Sequence, residues 1–173
     1  MVENLYHEKQ KWQQCLIHTV NNILQRNEYD KEQFDEFCYA MNESRWMNPH
    51  KSWIGLGNYD ANILMSALEM QDLKMQWIDK RKNANDVNMT KVKAFVVNIP
   101  TSRIIPFMSS RHWYAVLQFE DSRWANLDSK INHPIEIENI AQFIDEKLKR
   151  KDVEVMAIVQ KDTTSEDLLN TVQ

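Results

Sequence analysis

The sequence predicts an α+β fold, with a helix-rich first part followed by a strand-rich second part. Apolar residues recur at helical spacing as far as about residue 68 and at strand spacing from about residue 74. Helices followed by strands in this order indicate a helical part packed on a mostly antiparallel sheet. At 173 residues the chain is long enough for one sizeable core and too short for two ordinary domains.

Apolar stripes and helix-start signals predict the helices. Asp30 and Gln33, three residues apart, form a capping-box-like start. The predicted helices run from Cys15, from Asp30 to about Met41, from Asn58 or Asp60, and from about Asn139 to Leu148.

Runs of β-branched and aromatic residues predict the strands of the sheet. They are Lys74 to Ile78, Ala94 to Ile99, Trp113 to Phe119, Arg123 to Leu127, and Val153 to Val159.

Two segments fit neither pattern. Residues 42–57 contain both glycines and Pro49, with Trp46 and Trp53 expected at the surface, so we expect a mobile arm there. The polar tail from Lys161 to Gln173 is expected to fray.

Cys15 is a candidate nucleophile because of its place at a predicted helix start. Backbone N–H groups and the helix dipole stabilise an anion there, so we expect a lowered pKa for its thiol. The alternative is a small buried residue, which is what we expect of Cys38, since Phe34, Phe37 and Met41 surround it at helical spacing.

His112 and Asp128 flank a predicted β-hairpin. A three-residue turn at Glu120-Asp121-Ser122 pairs Phe119 with Arg123 and brings His112 and Asp128 to one face, as diagonal neighbours about 7–8 Å apart at Cα. A two-residue turn would put them on opposite faces. In the first register, Asp128 can orient the imidazole and leave its other nitrogen free to take a proton from Cys15. Local backbone bonding of His112 and a turn role for Asp128 are the alternatives.

Composition excludes several classes of protein. A net charge of −4 argues against nucleic acid as the main partner, and two cysteines form no disulfide framework. No stretch approaches the ~20 apolar residues of a membrane span. We therefore expect a cytoplasmic chain without an integral membrane segment.

Several spaced blocks resemble the Josephin family of papain-like deubiquitinases, especially its short single-domain members related to the catalytic domain of the Machado-Joseph ataxin. The likeness runs from about Leu5 to Val159. Its blocks are Tyr6 to Gln10, Cys15 with His18, Asn21 to Gln25, Gly57 to Asn62, Trp77 to Arg81, Arg111 to Trp113, and Asn126 to Lys130.

This resemblance implies a papain-like cysteine protease fold and a role for each site residue. Cys15 would be the nucleophile, His112 the general base and acid, Asp128 the residue that orients His112, and Gln10 the side-chain donor of the oxyanion hole. The implied reaction is hydrolysis of an isopeptide bond at the last glycine of ubiquitin through a thioester. The implied partners are ubiquitin and ubiquitinated proteins, and no metal or organic cofactor is required.

The resemblance also implies a Josephin domain over residues 5–160, a polar tail over 161–173, and a monomer. Trp12, Trp113 and the arm could form a narrow groove, although core packing is the alternative for these tryptophans. Trp77 and Ile78 lie near the place of ubiquitin contacts in Josephins, or belong to sheet packing. His18 is expected to be structural.

Two departures from the family pattern bear on the site. Asp128 stands where the ataxin member has asparagine, and residues 11–14 carry no glycine where some relatives do. Two other functions remain open: a ubiquitin-binding adaptor whose site stays closed, and a thiol amidase or acyltransferase with another substrate.

Overall fold

The structure is a computed structural model that describes residues 1–10, 14–41, 61–101 and 111–170. The helices are α1 (Cys15–Leu24), α2 (Lys31–Met41), α3 (Ala61–Glu69) and α4 (Ile140–Leu148). The strands are β1 (Leu73–Trp77), β2 (Ala94–Pro100), β3 (Arg111–Phe119), β4 (Arg123–Leu127), β5 (Ile135–Ile137) and β6 (Glu154–Gln160). Short 3₁₀ turns lie at Val2–Asn4, Ala84–Asp86, Met89–Lys91 and Glu120–Ser122.

Within these ranges the strands form one six-stranded antiparallel sheet in the order β1-β6-β2-β3-β4-β5. Strand β6 follows β5 in the chain but lies between β1 and β2. The predicted α+β fold with a mostly antiparallel sheet is confirmed.

The sheet separates two apolar cores, as the alternation of side chains along β2 shows. Ala94 and Val96 belong to the first core, which also contains the buried faces of α1, α2 and α3. Phe95 and Val97 belong to the second core, which contains the buried face of α4. Burying a large aliphatic side chain contributes about 1.5–3 kcal/mol, so both layers stabilise the sheet.

Helix α1 is buried on more than its apolar stripe. Leu16, Val20 and Ile23 are fully buried, as the stripe predicts, yet His18, Asn21 and Asn22 are buried as well. Buried polar side chains require hydrogen-bond partners, and those of α1 find them in Glu8 and Leu127. The helix therefore connects two distant parts of the chain through polar contacts.

The other helices match the predictions where the structure describes them. The N–H of Gln33 donates to Asp30 Oδ1 and the N–H of Asp30 to Gln33 Oε1, both at 3.0 Å, so the predicted capping box forms. Cys38 is fully buried, as are Ile63, Leu64, Ala67 and Leu68 of α3. Asn58, Asp60 and the arm of residues 42–57 lie outside the described residues.

The hairpin of β3 and β4 has the predicted three-residue connection. Phe119 pairs with Arg123 and Ala115 with Leu127, across a turn at Glu120–Ser122. Asp121 and Ser122 both have positive φ, 53° and 63°. This register is the one that brings residues 112 and 128 to one face.

Two features differ from the sequence predictions. Strand β5 was not predicted, because three residues with Ile135 54% exposed carry too little periodicity to be recognised. The predicted fraying is wrong for residues 161–170: Leu168 is buried in the second core, and the N–H of Asn170 donates to Asp86 O at 2.9 Å. The burial of Leu168 and the hydrogen bonds of Asn170 together hold this segment to the fold.

None of the helices in the described ranges is both long and apolar enough to cross a membrane.

Candidate active site

The thiol of Cys15 lies at the first residue of α1, as predicted, but it is buried, with the residue 5% exposed. Burial raises the pKa of this thiol and outweighs the opposing effects of the Trp113 backbone N–H and the Lys130 charge. The expectation of a lowered pKa is therefore wrong, although the Cys15 backbone N–H at the helix start does act to lower it. Desolvation of a thiolate is the larger effect here.

The Cys15 sulfur lies near the start of β3. The backbone N–H of Trp113, the residue after His112, is near enough to act against the rise in the pKa of the thiol. The start of α1 and the start of β3 thus bring Cys15 and His112 to the same part of the fold, although 97 residues separate them in the sequence.

His112 is 1% exposed and is held from two sides. Its ring stacks on Tyr114 with centroids 6.1 Å apart, and its Nε2–H donates to Asp128 Oδ1 at 2.6 Å. This bond places the proton on Nε2 and leaves Nδ1 as the basic nitrogen. The imidazole therefore has the tautomer that can accept a proton from a thiol.

Asp128 is a carboxylate in this environment. Burial alone would raise its pKa, but the hydrogen bonds from His112 and from the backbone N–H of Lys130 bring the pKa below its usual value. Both bonds end on Oδ1, the Lys130 N–H at 2.9 Å. The negative charge is thus available to stabilise an imidazolium on His112.

Gln10 is hydrogen-bonded to Ser129, the residue that follows Asp128. Its N–H donates to Ser129 O at 2.7 Å, and the Ser129 hydroxyl donates to Gln10 Oε1 at 3.4 Å. Because the amide oxygen faces Ser129, the NH₂ group of the same planar amide points away from it. The structure therefore holds Gln10 beside the Asp128 loop, with its amide oxygen turned toward Ser129.

Segment 7–10 and the end of β4 are joined by further polar contacts. His7 Nε2–H donates to Asp128 O and Asn22 Nδ2 donates to Leu127 O, each at 2.9 Å. Asn22 Oδ1 in turn accepts from the N–H of Glu8 at 2.8 Å. Asn22 thus bridges α1, segment 7–10 and the hairpin.

All four predicted site residues therefore lie around the meeting point of α1, β3 and the loop after β4. Sequence reasoning did not identify three contributors to this site: the Trp113 N–H, the Lys130 charge and Ser129. Spacing alone carries no signal for a backbone N–H or for a turn residue, although Ser129 and Lys130 directly follow Asp128.

Chemically, the arrangement suits nucleophilic catalysis by a thiol. It provides a sulfur at a helix start, an imidazole with an oriented base nitrogen, a carboxylate behind it, and an amide side chain nearby. In the described parts of the chain, no group of three or more His, Cys, Asp or Glu side chains could hold a metal ion.

The tryptophans considered for a groove or for ubiquitin contacts differ in how far they are exposed. Trp113 is 8% exposed and belongs to the first core, which is the core-packing alternative. Trp77 is 51% exposed while Ile78 is buried in the second core, so of this pair Trp77 presents the larger surface. Trp12 and the arm lie outside the described residues. His18 is buried and bonded to Glu8, which fits a structural role.

A family model described as Josephin matches residues 10–160 of the chain. The chain is 30% identical over 175 residues to a Josephin-like protein of Drosophila melanogaster, covering 96% of this chain and 79% of the relative. It is 32% identical over 165 residues to human Josephin-2, covering 91% and 87%. A Josephin-like protein of Arabidopsis thaliana is 30% identical over 162 residues, covering 83% of this chain and 44% of the relative. The α+β fold is consistent with that of the Josephin domain.

Proposed function

The chain belongs to the Josephin family of deubiquitinase-type cysteine proteases, and on that basis we propose that it hydrolyses isopeptide bonds at the C-terminal glycine of ubiquitin. The observation that carries the proposal is the 2.6 Å bond from His112 Nε2 to Asp128 Oδ1, with the Cys15 sulfur at the neighbouring Trp113 N–H. This arrangement supports a Cys-His-Asp triad.

Attack begins with transfer of the Cys15 proton to Nδ1 of His112. Because burial raises the pKa of the thiol, we propose that it is neutral at rest and ionises as the sulfur approaches the glycine carbonyl. The Asp128 carboxylate stabilises the imidazolium that forms. Gln10 and the backbone N–H of Cys15 receive the oxyanion, where one such donor typically contributes about 10²–10³ in rate.

The intermediate then collapses. The C–N bond breaks, His112 Nδ1 gives its proton to the leaving lysine amine, and ubiquitin remains as a thioester on Cys15. His112 next takes a proton from water, which attacks the thioester carbonyl. The C–S bond breaks and the thiol regains a proton, releasing ubiquitin with a free carboxylate.

The proposal also covers the domain bounds, the cellular location and the oligomeric state of the enzyme. A catalytic domain over residues 5–160 acts as a cytoplasmic monomer on ubiquitinated proteins, and the polar segment 161–170 packs against it. The family resemblance supports ubiquitin as partner, and the packed core supports a domain that folds as a unit.

A second function is favoured by one specific observation, the 5% exposure of Cys15. A thiol this buried fits a ubiquitin-binding adaptor whose site stays closed. Such a protein would bind ubiquitin without acting on it.

The two functions are separated by an electrophilic ubiquitin probe and by lysine-linked diubiquitin. We expect wild type to form a covalent adduct and release monoubiquitin, and Cys15→Ala to do neither. Cys38→Ala is the matched control, since it removes the other thiol from the core, and it should retain both reactions. Ubiquitin binding without adduct or cleavage would favour the adaptor. Faster turnover of a small amide than of ubiquitin substrates would favour another substrate.

A further inference from the structure

A polar cluster centred on Glu8 lies outside the proposed triad. Its carboxylate accepts three hydrogen bonds: from Tyr6 Oη–H at 2.5 Å, from His18 Nδ1–H at 2.5 Å and from Asn21 Nδ2 at 2.9 Å. The side chains of Glu8 and His18 are 16% and 9% exposed. The mechanism above makes no use of these groups.

Glu8 is held as a carboxylate by its donors. Burial would raise its pKa, but the hydrogen bonds from His18, Tyr6 and Asn21 bring the pKa below its usual value. Burial and the hydrogen bond to Glu8 also raise the pKa of Tyr6 to about 12, so its hydroxyl remains a donor. The three hydrogen bonds use both oxygens of Glu8. A protonated carboxyl would carry a hydrogen on one of these oxygens, so the three bonds together require the carboxylate.

The cluster fixes the segment that carries Gln10 to the helix that carries Cys15. His18 and Asn21 belong to α1, whereas Tyr6 and Glu8 precede Gln10 by four and two residues.

Two further side chains, Asn22 of α1 and Gln25 at its C-cap, hydrogen-bond to the backbone of residues 6–8. Asn22 accepts from the N–H of Glu8 at 2.8 Å, and Gln25 accepts from the N–H of Tyr6 at 2.9 Å and donates to Tyr6 O at 3.1 Å. Backbone pairing within regular secondary structure does not hold segment 6–10. Its place depends on these polar contacts and on those to residues 128 and 129.

We propose that Glu8 is a positioning residue, whose bonds to Tyr6, His18 and Asn21 set the place of the Gln10 amide relative to Cys15. This inference rests on the proposed function for its kinetic consequence, because Gln10 acts there as an oxyanion donor. Glu8 itself touches no reacting atom. Its charge acts only through the geometry of segment 6–10.

The test is a double-mutant cycle between Glu8→Gln and Gln10→Ala, measured with a fluorogenic ubiquitin C-terminal amide. Glu8→Gln keeps the size of the side chain but replaces one acceptor oxygen by an NH₂ donor. It should lower kcat about 10-fold to 100-fold and leave KM within about twofold. This loss of kcat is smaller than the loss expected when the whole Gln10 donor is removed. In the Gln10→Ala background it should change kcat less than about twofold, since residues that act as a unit are not additive. Glu36→Gln, an exposed glutamate on α2, is the control and should leave kcat unchanged.

Alkylation of Cys15 by iodoacetamide distinguishes a displaced Gln10 amide from general damage to the active site. This displacement at carbon develops no oxyanion, so its rate should be the same in wild type and Glu8→Gln. Slower alkylation in step with lower kcat would overturn the inference, as would equal losses of kcat in the two Gln10 backgrounds.

The side-chain amide signal of Gln10 in a ¹⁵N NMR spectrum gives a readout that needs no substrate. The signal is identified by its absence in Gln10→Ala and should shift in Glu8→Gln; an unmoved signal would overturn the inference. If Glu8→Gln does not fold, Tyr6→Phe removes one donor from the carboxylate and should give the same pattern with a smaller change. If the wild-type protein cannot cleave ubiquitin substrates, the proposed function is refuted. The NMR signal of Gln10 would still show whether Glu8 positions the Gln10 amide.

Discussion

His112 and Asp128 are joined through a single carboxylate oxygen. Oδ1 of Asp128 accepts from His112 Nε2 at 2.6 Å and also from the N–H of Lys130 at 2.9 Å. The orientation of the imidazole and the shape of the loop after β4 therefore depend on the same atom. An amide with its oxygen at this place could accept both bonds.

This geometry predicts different outcomes for two substitutions of Asp128. Asp128→Asn keeps an acceptor at Oδ1 and should lower kcat less than about 10-fold. Asp128→Ala removes it, leaves His112 unoriented and should lower kcat by about 10²–10⁴. Steady-state hydrolysis of a fluorogenic ubiquitin amide measures both. Equal losses in the two variants would show that the charge, and not the position of the oxygen, is what His112 requires.

Burial of Cys15 predicts the pH dependence of its reactivity. Because burial raises the thiol pKa above the usual 9.0, the thiolate fraction in the protein without substrate is small at neutral pH and grows above pH 9. The rate of iodoacetamide alkylation should therefore rise with a midpoint above 9.0, measured by mass spectrometry with Cys15→Ala as the blank. A midpoint below that value would mean that His112 and Cys15 form an ion pair before substrate binds.

Glu8 should make the stability of the fold dependent on acidity. A carboxyl whose pKa is lowered on folding stabilises the folded state in full above its unfolded value of about 4.5, and this stabilisation disappears as pH falls through the folded pKa. Urea unfolding should show wild type more stable than Glu8→Gln by about 1–3 kcal/mol at pH 7. The difference should shrink below pH 4.5, and a constant difference down to pH 3 would contradict the assignment.

Two adjacent leucines test the packing of the C-terminal segment. Leu168 is 4% exposed and Leu169 is 41% exposed. Leu168→Ala should lower the free energy of unfolding by about 2–5 kcal/mol, whereas Leu169→Ala should change it by less than about 1 kcal/mol. Thermal or urea unfolding measures both, and equal effects would show that the segment is not held through Leu168.

The three-residue turn of the hairpin sets the catalytic register. Deleting Asp121 would shift β4 by one residue and turn Asp128 away from the face of His112, with a loss of at least about 10² in kcat. Asp121→Gly is the matched variant, because glycine accepts the φ of 53° and keeps the register, so kcat should be retained. Retained activity after the deletion would mean that Asp128 does not orient His112.

The hairpin and the helix start of Cys15 could be predicted because their signals are local. Strand alternation and the turn set the pairing of Phe119 with Arg123, and the apolar stripe sets the start of α1. The direction of the Cys15 pKa shift could not be predicted, since it depends on how fully β3 and its neighbours exclude water from the sulfur. The distance between Cys15 and His112 in the sequence gives no measure of that burial.

Longer-range polar contacts were also beyond sequence reasoning. Glu8 and His18 look like ordinary polar residues until α1 is seen to be buried on most sides, and only then do their bonds become necessary. Leu168 was missed for the same reason, because two adjacent leucines in a polar run show no period. In each case the missing information was a partner far away in the chain.

The place of β6 has a consequence for the order in which the sheet can be completed. This strand is made after β1–β5, yet it lies between β1, which follows the helices around Cys15, and β2, which pairs with the strand of His112. In the described sheet β1 pairs with β6 alone, so β1 has no partner strand until β6 is in place. Strand β1 can therefore join the sheet only after residues 154–160 have been made, although the pairs β2-β3 and β3-β4 can form before them.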